Sequence, residues 1–464
     1  MGSSGDGHPY IPNLAATSRA EMLARIGVVS TEDLYAAIPP ELRLGRQMRL
    51  PAPFAAERDL RRHLDGFVAR NTGTHEALSF LGGGCWPHDV PAVVDEIGNR
   101  AEFLTAYGGD TYADLGKYQA IFEFQSLLGE LLGMDVVSAP TYDWVTAASS
   151  ALAMAARITG RREVLLAGSS NPQLREHLRT FAPRDLAVGR VAFDPATGLV
   201  DLADLGRRLS DRTAAVYIEN PGFLGTIEPD VARIAGAAHA AGALLIVGVD
   251  ASSLGVLAPP AEQGADLVVG EAQPLGNHMH YGGGLCGFIA SRDDPAIVME
   301  YPTFLVSIAP GREPGEWGFG WSTMTRTSFE QRDTAQDYTG SSQWLWGITA
   351  ATYLSLLGPR GMAELGETIM ARSHYAAARL SQIPGVRAPR LSAAHFKEFV
   401  VDVGGTGHSV AEVNRRLLER GIFGGHDLSA DFPELGQSAL YCVTEVHAKD
   451  EIDRLAETLA EVVR

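Results

Sequence analysis

Residues Leu244 to Asp250 read LLIVGVD, a nearly unbroken apolar run that ends on a carboxylate. A strand that is apolar at consecutive positions has both faces covered, as in a parallel sheet layered between helices. Runs of the same kind recur on either side. Upstream are Glu163–Ala167 (EVLLA) and Ala214–Asn220 (AAVYIEN), the second closed by the turn pair Pro221-Gly222. Downstream are Asp266–Glu271 (DLVVGE) and Gly287–Ser291 (GFIAS). Thr146 to Gly160, rich in Ala, Leu and Met, predicts a helix with Gly160 just past its end. Val231 to Ala241 carries apolar residues at helical spacing and stops at Gly242. Strand and helix in alternation predict an α/β fold built on a large, mostly parallel, doubly wound sheet. Ligands of such sheets lie at the carboxyl ends of the strands, which is where Asp250 falls.

A chain of 464 residues is too long for one ordinary core. The first seventy residues are helical and polar, with prolines at 39, 40, 51 and 53, and their apolar positions are too sparse for an independent core. We expect an arm over residues 1–70, a large α/β domain over 71–358 and a small C-terminal α+β domain over 359–464. The small domain reads as a helix from Gly361 to Leu380, a strand from Phe396 to Val403 and a helix from Ser409 to Arg420. Ser409 and Glu412 suggest a capping box there, with Gly421 as the stop. A strand from Ala439 to Val446 and an amphipathic helix from Lys449 to Arg464 complete it.

Composition narrows the function. Apolar residues are 45% and charged residues 20%, so the chain is neither disordered nor fibrous. Lys and Arg number 38 against 56 for Asp and Glu, a net charge of -18. That charge repels phosphate backbones and anionic lipid, so neither nucleic acid nor membrane is an expected partner. The apolar stretch Trp344–Leu357 is shorter than the ~20 residues of a membrane span and reads as a core helix. Three scattered cysteines, Cys85, Cys286 and Cys442, suit a reducing compartment, and Met1 to Arg19 shows no apolar leader segment, so a cytoplasmic location is expected. His278 and His280 have strand-like ligand spacing, yet no Asp or Glu follows within ten residues, so no metal is expected. Gly282-Gly283-Gly284 reads as a tight turn rather than a phosphate loop.

Many stretches in one order carry a family resemblance. They include HPYIPN (His8 to Asn13), SFLGGG (Ser79 to Gly84) with His88, EFLTAY (Glu102 to Tyr107), ALLIVGVDASSLG (Ala243 to Gly255), GADLVVGEAQPLGN (Gly264 to Asn277), YLSLLGPRG (Tyr353 to Gly361) and FKEFVV (Phe396 to Val401). The chain resembles the first, or α, subunit of the two-subunit glycine dehydrogenase (decarboxylating), the P-protein of the glycine cleavage system. The resemblance implies the aspartate-aminotransferase-like, pyridoxal-phosphate-dependent transferase fold (fold type I). It also implies that pyridoxal phosphate is carried by a lysine-bearing β subunit, in an assembly of α2β2 type. In that family glycine loses carbon dioxide and its aminomethyl group passes to a lipoyl carrier protein.

The residues themselves bear on this. An enzyme of this fold holds its cofactor on a lysine after a late strand of the sheet. Here the loop after Asp266–Gly270 reads Glu271-Ala272-Gln273-Pro274-Leu275-Gly276, and the only lysines of the chain are Lys117, Lys397 and Lys449. None is near that loop in sequence, so no residue of this chain is expected to be catalytic by itself. The resemblance makes Trp144, Asn171, Asp250 and Pro274 markers of a degenerate cofactor site. Asp250 falls where an active copy pairs the ring nitrogen, or it simply caps the next turn. Asn171 stands where a histidine is usual. Trp144 replaces a small residue at a helix start, where its indole either fills the phosphate cup or packs as core. Across the shared interface the resemblance points to Trp86, His88, Tyr107, Asp110, Tyr112, Tyr338 and Ser341 as cofactor- or substrate-facing. The segments Gly108–Tyr112 and Ala335–Ser341 depart from the family pattern, so they either line the site or form ordinary interface surface. His88 either orients a substrate or is a satisfied interface histidine. Two further readings stay open: a diverged subunit acting on another small amino acid, and a non-catalytic scaffold or regulatory homologue.

Overall fold

The structure is a computed structural model. It describes all residues except 1–9, 13–14, 47, 75, 85, 105–114, 184, 281–284, 304, 323–336, 338 and 341–342. The chain divides into two units, Met1–Asn71 and Thr72–Arg464.

The first unit holds the helix Ala16–Ile26, closed by Gly27 in the left-handed region (φ 87), and the helix Glu57–Val68. None of the residues of these two helices is buried. Met22, Ile26, Leu60, Leu64 and Phe67 all remain exposed, as expected of a segment with too few apolar positions to make a core.

The second unit is built on sheets. In chain order the strands are β1 (Leu78–Ser79), β2 (Val136–Val137), β3 (Glu163–Ala167), β4 (Ala187–Val191), β5 (Thr213–Glu219), β6 (Leu244–Asp250), β7 (Leu267–Glu271), β8 (Gly287–Ser291), β9 (Leu305–Pro310), β10 (Trp317–Ser322), β11 (Glu398–Asp402), β12 (Ile422–Phe423), β13 (His426–Asp427) and β14 (Ser438–Cys442). The large sheet has the order β2-β8-β7-β6-β5-β3-β4. Its pairs from β4 across to β7 are parallel, and β8 and β2 add antiparallel strands at one edge.

Side chains alternate across this sheet, and both faces are covered. Leu165, Val216, Leu245, Val247 and Val268 pack in one core with Leu128, Leu132 and Ile234 from covering helices. Leu166, Ala215, Tyr217, Ile246 and Val269 pack in another with Leu152, Ala155 and Leu174. This double coverage is why β6 is apolar at successive positions. Strand β4 is largely exposed, which is why AVGRV carries no apolar signature. The antiparallel hairpin of β9 and β10 is likewise illegible from apolar pattern, since both strands keep several exposed or half-exposed residues.

A second sheet, β11-β14-β13, is antiparallel. Its core gathers Phe399, Val401, Tyr441 and the terminal helix residues Ile452, Leu455 and Leu459. The helix Trp344–Leu380 serves both cores, with an interruption at Gly358 (φ 60, ψ -177) just before Pro359. Ser409 caps the helix Val410–Leu418 through Glu412 N, but the Glu412 carboxylate turns to His408 and Arg416, so the expected reciprocal box does not close.

Candidate functional site

Three neighbouring strands of the large sheet end on acids: Glu219 on β5, Asp250 on β6 and Glu271 on β7. All three are buried at the carboxyl edge, where the fold class puts ligands. A cleft opens there, walled by Trp86, Trp144, Phe223 and Leu174, with Glu219, Asp250, Lys397 and Glu398 among its lining residues.

Asp250 has two partners. Its Oδ1 accepts from Ser252 N (3.1 Å) and Ser252 Oγ (2.8 Å), capping the turn that follows β6. Its Oδ2 lies 2.7 Å from Lys397 Nζ. From the sequence Lys397 belongs to another sheet altogether. The fold nonetheless carries its side chain from the start of β11 to the end of β6, so its distance from Asp250 in sequence gave no hint of the pairing. The same Nζ reaches His88 Nε2 (3.0 Å) and Ser252 Oγ (3.3 Å), and it lies 3.7 Å from the centre of the Trp86 ring.

His88, offered by the sequence as an interface residue, has both ring nitrogens engaged within the chain. Nε2 meets Lys397, and Nδ1 meets Glu445 at 2.9 and 3.1 Å. Burial alone would raise the Glu445 carboxyl, but its contact with His88 and the hydrogen bond from the Asp89 amide bring it down to about 2.

Trp144 begins the helix Trp144–Thr159, and Asp143 caps that helix through Thr146 N at 2.6 Å. The Trp144 amide donates to Glu271 Oε2 (3.2 Å). What occupies this helix start is therefore the chain's own carboxylates, not the indole. The indole instead lies over β6: a Cβ on Gly248 would stand 2.8 Å from Trp144 Nε1. Nε1 donates to Tyr217 Oη (3.1 Å), and Tyr217 donates to Glu219 Oε1 (3.0 Å). Asn171 caps the helix Pro172–Phe181 through Gln173 N, and its own amide donates to Glu219.

The loop bearing Pro274 is a closed polar turn. Gln273 N and Cys286 N both donate to Glu271 Oε1, Gln273 Nε2 donates to Asn277 O, and Thr349 Oγ1 donates to Asn277 Oδ1. Pro274 is buried within it. Burial pushes Glu219, Glu271 and Glu398 each up to about 7. Glu398 had no signal in the sequence beyond its place in FKEFVV, and it meets the loop Gly82–Gly83 through Gly83 N at 2.6 Å.

Tyr107, Asp110, Tyr112, Tyr338 and Ser341 lie outside the described residues, as do the glycines 282–284. His278 pairs with Asp95 (2.9 Å) and His280 stacks on Trp346 with ring centres 4.9 Å apart, while the two imidazoles meet edge to face with centres 6.3 Å apart. Lys449 pairs with Asp453 on the terminal helix, and Lys117 is buried in the helix Leu115–Leu132.

These residues do not fit a pyridoxal phosphate held covalently by this chain. The loop after β7 offers an amide and a proline where an amine is needed. Asp250 is already neutralised by Lys397, and the Trp144 and Thr146 amides of the adjacent helix are committed to Glu271 and Asp143.

The sheet order and the three acids at its carboxyl edge define a pyridoxal-phosphate-dependent transferase fold of type I. A family model described as glycine cleavage system P-protein matches residues 8–459. The "Probable glycine dehydrogenase (decarboxylating) subunit 1" of Staphylothermus marinus is 38% identical over 467 residues, covering 99% of each chain. That of Chlorobium limicola is 39% identical over 456 residues, covering 97% of this chain and 99% of the relative. A crystal structure titled glycine decarboxylase (P-protein) of the glycine cleavage system, in inhibitor-bound form, superposes with a TM-score of 0.85 at 34% identity, over 98% of this chain and 100% of that one. A Burkholderia pseudomallei sphingosine-1-phosphate lyase, at 18% identity and TM-score 0.66, shares the fold. The chain belongs to the glycine cleavage system P-protein family.

Proposed function

We propose that this chain is the subunit of a decarboxylating glycine dehydrogenase that lacks the cofactor lysine, and that it completes an interface active site with a lysine-bearing β subunit. The observation that carries the reading is the loop Glu271–Gly276: at the end of the strand where this fold tethers its cofactor, no side chain has an amine. The names of the relatives, each a subunit 1, support a second kind of subunit. Pyridoxal phosphate, carried by that partner in an α2β2 assembly, supplies the electron sink that lets glycine lose carbon dioxide, and a lipoyl carrier protein accepts the aminomethyl group.

The part of this chain is to shape and close the shared site. Segment Trp86–Asp89 is held rigid from behind by Lys397 and Glu445, so it offers a fixed wall rather than a loop that must be ordered on binding. The segments containing Tyr107, Asp110, Tyr112, Tyr338 and Ser341 are assigned to the same interface. The cytosol is the assigned location. Among the described residues no helix is long and apolar enough to cross a membrane.

The test is spectroscopic. Purified alone with pyridoxal phosphate, the chain shows no internal-aldimine absorption, and borohydride fixes no cofactor to it. Co-expressed with its β subunit, the complex is yellow, and borohydride labels only the partner. Glycine-dependent release of carbon dioxide needs both chains. A yellow, borohydride-fixable isolated chain sinks the reading, as does a β subunit with full activity alone.

A further inference from the structure

The strongest unexplained feature of the half-site is a buried ammonium. Lys397 is 2% exposed, and an ammonium has three N–H donors and no acceptor. Each of the three has a partner: Asp250 Oδ2 at 2.7 Å, His88 Nε2 at 3.0 Å and Ser252 Oγ at 3.3 Å. Its remaining side faces the Trp86 ring at 3.7 Å, a cation–π contact out of bulk water. A buried cation with every donor used and an aromatic face beneath it is a built arrangement, since each unmade contact would leave a desolvated charge.

We propose that Lys397 is a positioning residue that acts as a built-in substitute for a cofactor cation. It takes the cationic place opposite Asp250 and, from there, fixes the hydrogen-bond direction of His88. Because an ammonium only donates, His88 Nε2 must accept. The ring proton therefore sits on Nδ1 and is donated to Glu445, whose Oε1 also accepts from Asp89 N at 2.8 Å. Ser252 relays the same order, accepting from Lys397 and donating to Asp250 Oδ1. One ammonium thus sets a single proton arrangement from the end of β6 through the segment Trp86–Asp89 to Glu445. The role of Lys397 as a stand-in for a cofactor cation rests on the proposed function, in which the partner holds pyridoxal phosphate, whereas the tautomer of His88 is set by groups within this chain alone.

The full chain labelled with 15N-histidine tests it at pH 7.5, with the His88 signals identified by their loss in His88→Gln. In the wild type we expect Nδ1 to carry the proton and Nε2 to have the shift of an unprotonated acceptor. In Lys397→Ala that pattern is lost. Methylammonium chloride, entering the space left beside the cleft, restores at least half of it in a saturable way. Potassium chloride and tetramethylammonium chloride at equal ionic strength do not, and Lys397→Met, which fills the space without charge, is not rescued. A wild-type His88 with its proton on Nε2 overturns the proposal even if no variant folds. So does a His88 spectrum unchanged in Lys397→Met, or a methylammonium effect equal in wild type and Lys397→Ala.

Discussion

Lys397 Nζ and Asp250 Oδ2 meet at 2.7 Å with side chains 2% and 5% exposed, so one ion pair ties the small antiparallel sheet to the carboxyl edge of the large parallel one. Neither charge is screened by water, and each is the other's main compensation. Such a pair adds little over a well-packed apolar alternative, but half of one is costly.

From this the first prediction follows. Asp250→Asn strands a buried ammonium and lowers stability by about 3–5 kcal/mol, and Lys397→Met strands a buried carboxylate at similar cost. The double variant, with neither charge, recovers a large part of the loss, because two unpaired charges are removed at once. Urea unfolding of the four proteins measures this as a double-mutant cycle, and simple additivity of the two losses would refute it.

Why was this pair hidden in the sequence when so much else was visible? The large sheet declares itself because β5, β6 and β7 are buried on both faces and must be apolar throughout. Helix ends declare themselves through local chemistry, as with Asp143 capping through Thr146 and Gly160 closing in the left-handed region (φ 68). The acids Glu219, Asp250 and Glu271 are legible as a set once the strands are placed in one sheet. Lys397 reaches Asp250 over 147 residues of sequence, and no local pattern encodes a contact between two sheets. In the exposed strands β4 (AVGRV) and β10 (WGFGWS) the apolar residues are interrupted by glycine, which reads as loop.

A second prediction uses the glutamates. Burial raises Glu219, Glu271 and Glu398 from 4.5 to about 7, so between those values the folded chain binds more protons than the unfolded one. Their contribution to stability is full below pH 4.5 and falls as pH climbs toward and past 7. Glu398→Gln removes one of these groups while keeping an acceptor for Gly83 N. Its stability relative to wild type should therefore improve from pH 5 to about pH 7 and level off above that in urea titrations. A pH-independent difference would contradict the assignment. Glu271→Gln is expected to behave worse at every pH, because Oε1 and Oε2 both face backbone N–H donors and the new amide nitrogen must oppose one of them.

Glu445 behaves in the opposite sense. Despite its burial, His88 and the Asp89 amide hold its carboxyl at about 2, below the ordinary 4.5. The stability it contributes is present above 4.5 and is lost as pH falls toward 2. Glu445→Gln should cost about 1–3 kcal/mol at pH 7, the usual penalty for losing a charge-assisted hydrogen bond. The gap to wild type should narrow between pH 4.5 and pH 3. Chemical denaturation across that range decides it, and a constant gap would mean that Glu445 is not held ionised by His88.

The last prediction concerns the space that an indole occupies. A Cβ on Gly248 would stand 2.6 Å from Tyr217 Oη and 2.8 Å from Trp144 Nε1, so the bare backbone of β6 is what admits the Trp144–Tyr217–Glu219 chain. Gly248→Ala should cost about 1–3 kcal/mol through overpacking, in spite of the gain from removing a glycine in a strand. Tyr217→Phe deletes the nearer atom and frees the indole from its hydrogen bond, so the same Gly248→Ala change in that background should cost at least about 0.5 kcal/mol less. Thermal and urea unfolding of the cycle measure the coupling. If the two substitutions add without coupling, the indole is not seated against β6.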